Sequence, residues 1–211
     1  GRVRGFTTNP TLMKKAGICD YEAFAREALR QITDCPISFE VFSDDFASME
    51  REARIIHAWG PNVNIKIPVM NTQGQSSAPL IRKLSAEGMQ LNVTAILTLQ
   101  QVSEVVDALA PDVPAIVSVF AGRIADTGRD PIPVMQQARD IIRQKPLAEL
   151  LWASTRELLN IFQADACGCD IITVTPDILK KLAMYNKDLH QLSLETVRMF
   201  YQDAQAAGFK L

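Results

Sequence analysis

VNIKIPV, residues 63–69, is an apolar run of strand length with a lysine at its centre. Lysine is rarely buried, because taking an ammonium out of water is costly. Successive side chains of a strand point to opposite faces. Val63, Ile65, Ile67 and Val69 therefore share one face, and Asn64, Lys66 and Pro68 share the other. The same division recurs three times. In ISFEVF (37–42), Ser38, Glu40 and Phe42 oppose Ile37, Phe39 and Val41. In LNVTAI (91–96), Asn92 and Thr94 oppose Leu91, Val93 and Ala95, and in IVSVF (116–120), Ser118 and Phe120 oppose Val117 and Val119. A parallel sheet covered by helices on both faces reads apolar on both. One apolar and one polar face instead indicate a barrel, with the apolar face against surrounding helices and the polar face inward. Glu40, Lys66, Thr94 and Ser118 fall in the latter halves of their strands, where the chemistry of such barrels gathers.

The rest of the chain repeats this unit. Strand patterns at 3–6, 37–42, 63–69, 91–96, 115–120, 150–154 and 171–174 alternate with helical patterns such as DYEAFAREALRQI, FASMEREARIIHAW and LQQVSEVVDAL. Asp20 is placed to cap the first of these, and Gly60, Gly88 and Gly168 stand where helices should stop. Strict alternation predicts an α/β fold with a parallel sheet. Seven strands are one short of a (β/α)8 TIM barrel. Because the chain opens inside an element, the missing first strand is expected before Gly1. No linker or low-complexity segment divides residues 1–211, which read as one barrel domain with a C-terminal helix.

Composition excludes several function classes. Of the 211 residues 47% are apolar and 22% charged, ordinary for a globular protein, and the formal net charge is −2. Without a long basic run, no nucleic-acid partner is expected. No apolar run approaches the ~18 residues of a membrane span, and no secretory signal opens the chain. Cys19, Cys35, Cys167 and Cys169 lack paired zinc-site spacing and read as reduced thiols of a cytoplasmic protein.

A lysine in a poorly hydrated interior gives up its proton more readily than one in water, and the neutral amine attacks carbonyl carbon to form a Schiff base. Glu40 is the nearest carboxylate for the proton transfers, acting through a water held by Thr94. The strand pattern leaves equally open that Lys66 only pairs with Glu40 as a buried ion pair. Arg123 in FAGRIAD and Arg156 in ASTRELL follow strand ends, suiting an anionic group that arginine grips with a bidentate fork, with Ser154 adding a hydroxyl. Surface or capping roles for the arginines stay open, as does the choice for Asn9 in TTNP between capping a helix and binding substrate. No dinucleotide fingerprint or phosphate loop occurs, and neither His57 nor His190 has a triad partner.

GFTTNPTL, VNIKIPV, EGMQLNVTAIL, SVFAGRIAD and LLWASTREL, in this order, resemble the transaldolase family, in particular its small single-domain branch. The resemblance covers essentially the whole chain. It implies a (β/α)8 barrel whose strand lysine forms a Schiff base with a ketose phosphate and passes a dihydroxyacetone unit to an aldehyde acceptor, without metal or organic cofactor. It assigns Lys66 as the Schiff-base lysine, with Glu40 and Thr94 holding the catalytic water. Asn9 and Asn92 match substrate-binding asparagines, with Thr7 close by and Ser118 lining the pocket. Arg123, Ser154 and Arg156 match the phosphate site. Related fructose 6-phosphate aldolases tend to carry glutamine in place of Glu40 and tyrosine in place of Phe120, so this pair favours transfer over simple cleavage. The implied setting is cytoplasmic pentose-phosphate-type metabolism. The family's catalytic aspartate belongs to the strand expected before Gly1. MNTQGQSS (70–77) is unusually polar for such a barrel and leaves a sulfosugar-acting or aldolase-like enzyme as an alternative, and a non-catalytic sugar-phosphate binding barrel as another. The stripe of Leu194, Val197 and Phe200 or Tyr201 suits either a helix covering its own barrel or, as the resemblance implies, a homo-oligomer of five or ten subunits.

Overall fold

Seven parallel strands stand side by side in chain order: β1 (Phe6–Thr7), β2 (Ile37–Glu40), β3 (Val63–Pro68), β4 (Leu91–Ile96), β5 (Ala115–Val119), β6 (Ala148–Trp152) and β7 (Ile171–Ile172). They belong to a computed structural model that describes residues 3–209. A doubly wound sheet contains a point where strand order reverses. None occurs among the described residues, where every crossover advances the sheet in the same direction, as in a (β/α)8 barrel. Among the described residues β1 pairs with β2 and β7 with β6, which makes the sheet a barrel incomplete by one strand. The first strand lies slightly later than its predicted position at 3–6.

The chain divides into two units, one ending at Val174 and the other starting at Thr175. In the first unit the strands alternate with α1 (Pro10–Lys15), α2 (Tyr21–Gln31), α3 (Phe46–His57), α4 (Ala78–Ala86), α5 (Leu99–Ala108), α6 (Ala121–Asp126), α7 (Ile132–Ile142) and α8 (Leu159–Ala166). Their starts follow from capping chemistry. Asp20 and Asp45 accept backbone N–H groups of Ala23 and Ser48, and Thr98 with Gln101 forms a reciprocal capping box on α5. Gly88 follows α4 with φ of 85°, a left-handed conformation that a residue with Cβ adopts at a cost.

Helical spacing then decides what is buried. Met49, Ala53 and Ile56 of α3, and Met135, Ala138 and Ile142 of α7, recur every three or four residues and are buried. They join one cluster with Ile37, Phe39, Ile65, Ile67, Leu91, Val93, Val117, Val119 and Leu150 from the strands. The opposite sheet face carries a separate small cluster of Ile116, Leu151 and Ala153, against which Phe120 and Ile171 pack. Two faces with two separate sets of neighbours are what the alternation predicted. One strand departs from it. Ala95 has φ of 62°, and the β4–β5 register shifts between Val93 and Ile96. That bulge returns Ile96, in place of Ala95, to the helix-facing core.

The second unit holds α9 (Pro176–Lys180), a short 3-10 turn and α10 (Leu189–Ala207), with Asp188 capping α10 through the Gln191 N–H. Among the described residues no helix is long and apolar enough to cross a membrane. The four cysteines are free. Burial, with the neighbouring Cys167 adding to it, pushes the Cys169 thiol up to about 12, so it stays protonated at neutral pH.

Candidate active site

Parallel pairing sets Glu40 of β2 in register with Lys66 of β3, Lys66 with Asn92 of β4, and Pro68 with Thr94. Register partners point to the same face, so Glu40, Lys66 and Asn92 form one row on the inner face. Lys66 is 8% exposed. Its Nζ donates to Glu40 Oε2 at 3.0 Å and to the Thr8 carbonyl at 3.1 Å. A buried ammonium needs such partners, and a buried pair contributes little net stability once desolvation is counted. The arrangement holds the nitrogen in place without making it part of the apolar core.

Beside this pair runs a line of neutral hydrogen bonds. Asn92 Nδ2 donates to Ser38 Oγ at 2.9 Å, and Ser118 Oγ donates to Asn92 Oδ1 at 2.6 Å. The asparagine amide is thereby oriented by a hydroxyl on either side. Thr94 is 2% exposed, and its Oγ1 has no hydrogen-bond partner among the described residues. A buried hydroxyl without a protein partner is unusual.

Two residues beyond Ser118, Phe120 packs on the inner cluster, and the Arg123 guanidinium lies 5.8 Å from its ring centroid. Arg123 sits on α6, which is pressed against the loop after β6. Gly122 N–H donates to the Ala153 carbonyl at 3.2 Å, and a Cβ at Gly122 would lie 1.7 Å from the Ser154 carbonyl oxygen. Ser154 itself has φ of 62°. Of the two arginines expected to grip an anion, Arg156 is held by Asp126 through Nε at 2.9 Å and through a second contact from Nη2. The hydrogen bond from Arg156 holds the Asp126 carboxyl below its usual range, and the charges of Arg156 and Arg123 add to this. Asp126 therefore pairs with Arg156 and lies within the electrostatic reach of Arg123.

Asn9 spends its Oδ1 on the Leu12 N–H at 2.8 Å, capping α1. Thr7 ends β1. Both helices and strands thus bring Lys66, Glu40, Asn92, Thr94 and Ser118 to one face, and Arg123, Ser154 and Arg156 to the α6 rim. Three participants were given no role by sequence reasoning. Ser38 shares the polar face and was legible there. Asp126, three residues after Arg123, had no marker for its pairing with Arg156. Tyr21, whose hydroxyl contacts Thr8 and Glu40, comes from a helix outside the sheet.

The loop after β3 is built from its own polar groups. Asn71 Oδ1 accepts the N–H groups of Gln73 and Gln75, while Asp44 accepts from the Thr72 N–H and hydroxyl. Together with the start of α5 this loop borders a cavity of about 290 Å³ lined by Val69, Met70, Gly74, Ser76, Thr98 and Gln101 among others. No group of three or more His, Cys, Asp or Glu side chains is placed to hold a metal among the described residues.

Residues 1–211 match the family described as Transaldolase/Fructose-6-phosphate aldolase. A protein named probable transaldolase from Thermoanaerobacter sp. is 34% identical over 212 residues, covering 100% of this chain and 91% of the relative. Another of that name from Thermoplasma volcanium is 35% identical over 190 residues, covering 89% of this chain and 81% of the relative. A third, from Dehalococcoides mccartyi, is 33% identical over 186 residues, covering 88% and 82%.

Proposed function

The chain belongs to the transaldolase/fructose-6-phosphate aldolase family, and from that premise we propose that it is a transaldolase-type transferase acting through Lys66. The observation that carries the reading is the placement of Lys66 Nζ, 3.0 Å from Glu40 on an inner face that also bears the unpartnered Thr94 hydroxyl. The neutral amine adds to the ketose C2 carbonyl, and loss of water leaves an iminium. The iminium draws the electrons of the C3–C4 bond as the C4 hydroxyl loses its proton, releasing an aldehyde. The three-carbon unit stays on Lys66 as an enamine, adds to an acceptor aldehyde, and is freed when water hydrolyses the new iminium. Glu40 and a water held by Thr94 carry the protons of these steps to and from the nitrogen, the C2 oxygen and the C4 oxygen. Asn92, oriented by Ser38 and Ser118, together with Asn9 and Thr7, binds substrate hydroxyls. Arg123, Ser154 and Arg156 hold the phosphate, and the donor is a ketose phosphate such as fructose 6-phosphate or sedoheptulose 7-phosphate.

Phe120 supports transfer over simple cleavage. Its ring packs on Ile116, Leu151 and Ala153 and offers no hydroxyl to protonate the enamine. A longer-lived enamine favours capture by an acceptor. The exposed apolar side chains of α10 support assembly into a homo-oligomer. The test is borohydride trapping with fructose 6-phosphate, followed by mass analysis. A reduced adduct on Lys66 is expected, absent from Lys66→Ala, with turnover appreciable only when an aldose phosphate acceptor is present. An unlabelled Lys66 would sink the mechanism, and equal turnover without acceptor would make the protein an aldolase.

A further inference from the structure

The end of the β1–β2 ladder contains a substitution of one hydrogen-bond acceptor for another. Along β2 the even-numbered residues face β1. Phe6 N–H donates to the Pro36 carbonyl at 2.9 Å, and Thr8 N–H donates to the Ser38 carbonyl at 3.0 Å. The odd residues face β3, as Ile37 and Val41 show by donating to Asn62 and Lys66. In this parallel pattern the next bond should run from Glu40 N–H to the Thr8 carbonyl. It does not. Glu40 N–H donates to the Tyr21 hydroxyl at 3.0 Å, and the Thr8 carbonyl accepts from Lys66 Nζ at 3.1 Å.

The direction of each proton can be assigned. Thr8 Oγ1 gives its hydrogen to the Ser38 carbonyl at 3.0 Å. It is therefore the acceptor in its 2.8 Å contact with Tyr21, and the phenol is the donor. Tyr21 O–H thus donates to Thr8 while its oxygen accepts from Glu40, using one donor and one acceptor. Burial raises the phenol above its ordinary range, with the bonds to Thr8 and Glu40 pulling less strongly the other way, so the donated hydrogen persists at neutral pH. The ring is fixed by edge contacts with Phe42, Phe39 and Trp59 at centroid distances of 4.6, 6.0 and 6.1 Å.

We propose that Tyr21 is a positioning residue for Lys66: its hydroxyl takes the ladder place of the Thr8 carbonyl, and so frees that carbonyl to hold the lysine nitrogen beside Glu40. The inference rests on Lys66 being the nucleophile. Without the hydroxyl, Glu40 N–H is orphaned unless the Thr8 carbonyl turns back to it. That return removes one of the two partners of Lys66 and shifts the strand end that carries Glu40. Misplacement of a reacting group by about 1 Å costs on the order of a hundredfold in rate.

Tyr21→Phe keeps the ring and its aromatic contacts. It should lower kcat and the rate of borohydride labelling with fructose 6-phosphate by about 10- to 100-fold. The donor KM should change much less than kcat, because the proposed phosphate residues lie at the far strands and only Thr7 and Asn9 flank the altered Thr8 carbonyl. Thr8→Val removes the phenol's acceptor and should give the same split, also serving if Tyr21→Phe does not fold. The double variant should be no worse than the poorer single one, as expected for groups acting as a unit. Labelling of Tyr21→Phe at the wild-type rate, a parallel change in kcat and KM, or independent multiplication of the two effects would overturn the proposal. If wild-type protein is not labelled at Lys66, the nucleophile reading falls and this inference with it. If wild type is labelled and Tyr21→Phe matches it, only the role of Tyr21 falls.

Discussion

Lys66 and Thr94 are buried on the same face, yet they are satisfied in opposite ways. Lys66 has Glu40 and the Thr8 carbonyl, and its contact with Glu40 does not decide between an ion pair and a nucleophile. A reactive amine must be held before it reacts, so both descriptions apply to one geometry. Thr94 is the more informative residue, because among the described residues its hydroxyl has no bond that folding would miss. Thr94→Val preserves shape while deleting that hydroxyl. With no intramolecular hydrogen bond lost, its unfolding free energy should change by less than about 1 kcal/mol. If the hydroxyl holds the proton-carrying water, kcat should fall on the order of a hundredfold. Thermal unfolding and steady-state kinetics of the one variant read both quantities. A large loss of stability, or unchanged kcat, would remove Thr94 from the proposed chemistry.

At the scale of elements, period-two alternation made the inner face of β2 to β5 legible, because parallel strands in register carry like-facing residues side by side. Alternation fails where the backbone breaks its own period, as at Ala95, and a single sequence shows no sign of such a bulge. It is also silent about groups that enter from other elements. The bond of Asp126 to Arg156 spans 30 residues, and Tyr21 reaches the site from α2. Gly122 is a third example, since its need for a missing side chain appears only once α6 lies on the β6 loop. A methyl group there would overlap the Ser154 backbone, which cannot rotate away as a side chain can. Gly122→Ala should therefore push α6 from the loop and cost about 2–4 kcal/mol, in the range of other severe backbone clashes. Because Arg123, Ser154 and Arg156 sit on the two surfaces being separated, the folded fraction should also show a donor KM raised about tenfold or more. Denaturant unfolding together with donor titration tests this, and an unchanged KM would detach the α6 contact from phosphate binding.

For the whole molecule, the question is what covers α10. None of its residues is buried, and Leu189, Val197, Phe200 and Tyr201 are largely exposed, Phe200 at 63%. Leu194, Val197 and Tyr201 follow at intervals of three and four, so they line one side of the helix. Single exposed apolar residues are common, but a row of large ones along one helix marks an interaction surface. In the proposed homo-oligomer a second copy covers that row, and the assembly depends on apolar contact more than on charge. Val197→Glu combined with Phe200→Glu places two carboxylates on the stripe, and burying unpaired carboxylates against another subunit is strongly unfavourable. Light scattering should find wild-type protein at a multiple of the single-chain mass and the double variant shifted toward one chain. The strands that carry Lys66 and Glu40 lie in the other unit, so borohydride labelling of Lys66 should survive the change if the site is complete within one chain. Loss of labelling together with loss of mass would instead assign the assembly a part in the active site, and a monomeric wild type would leave the α10 stripe without the proposed partner.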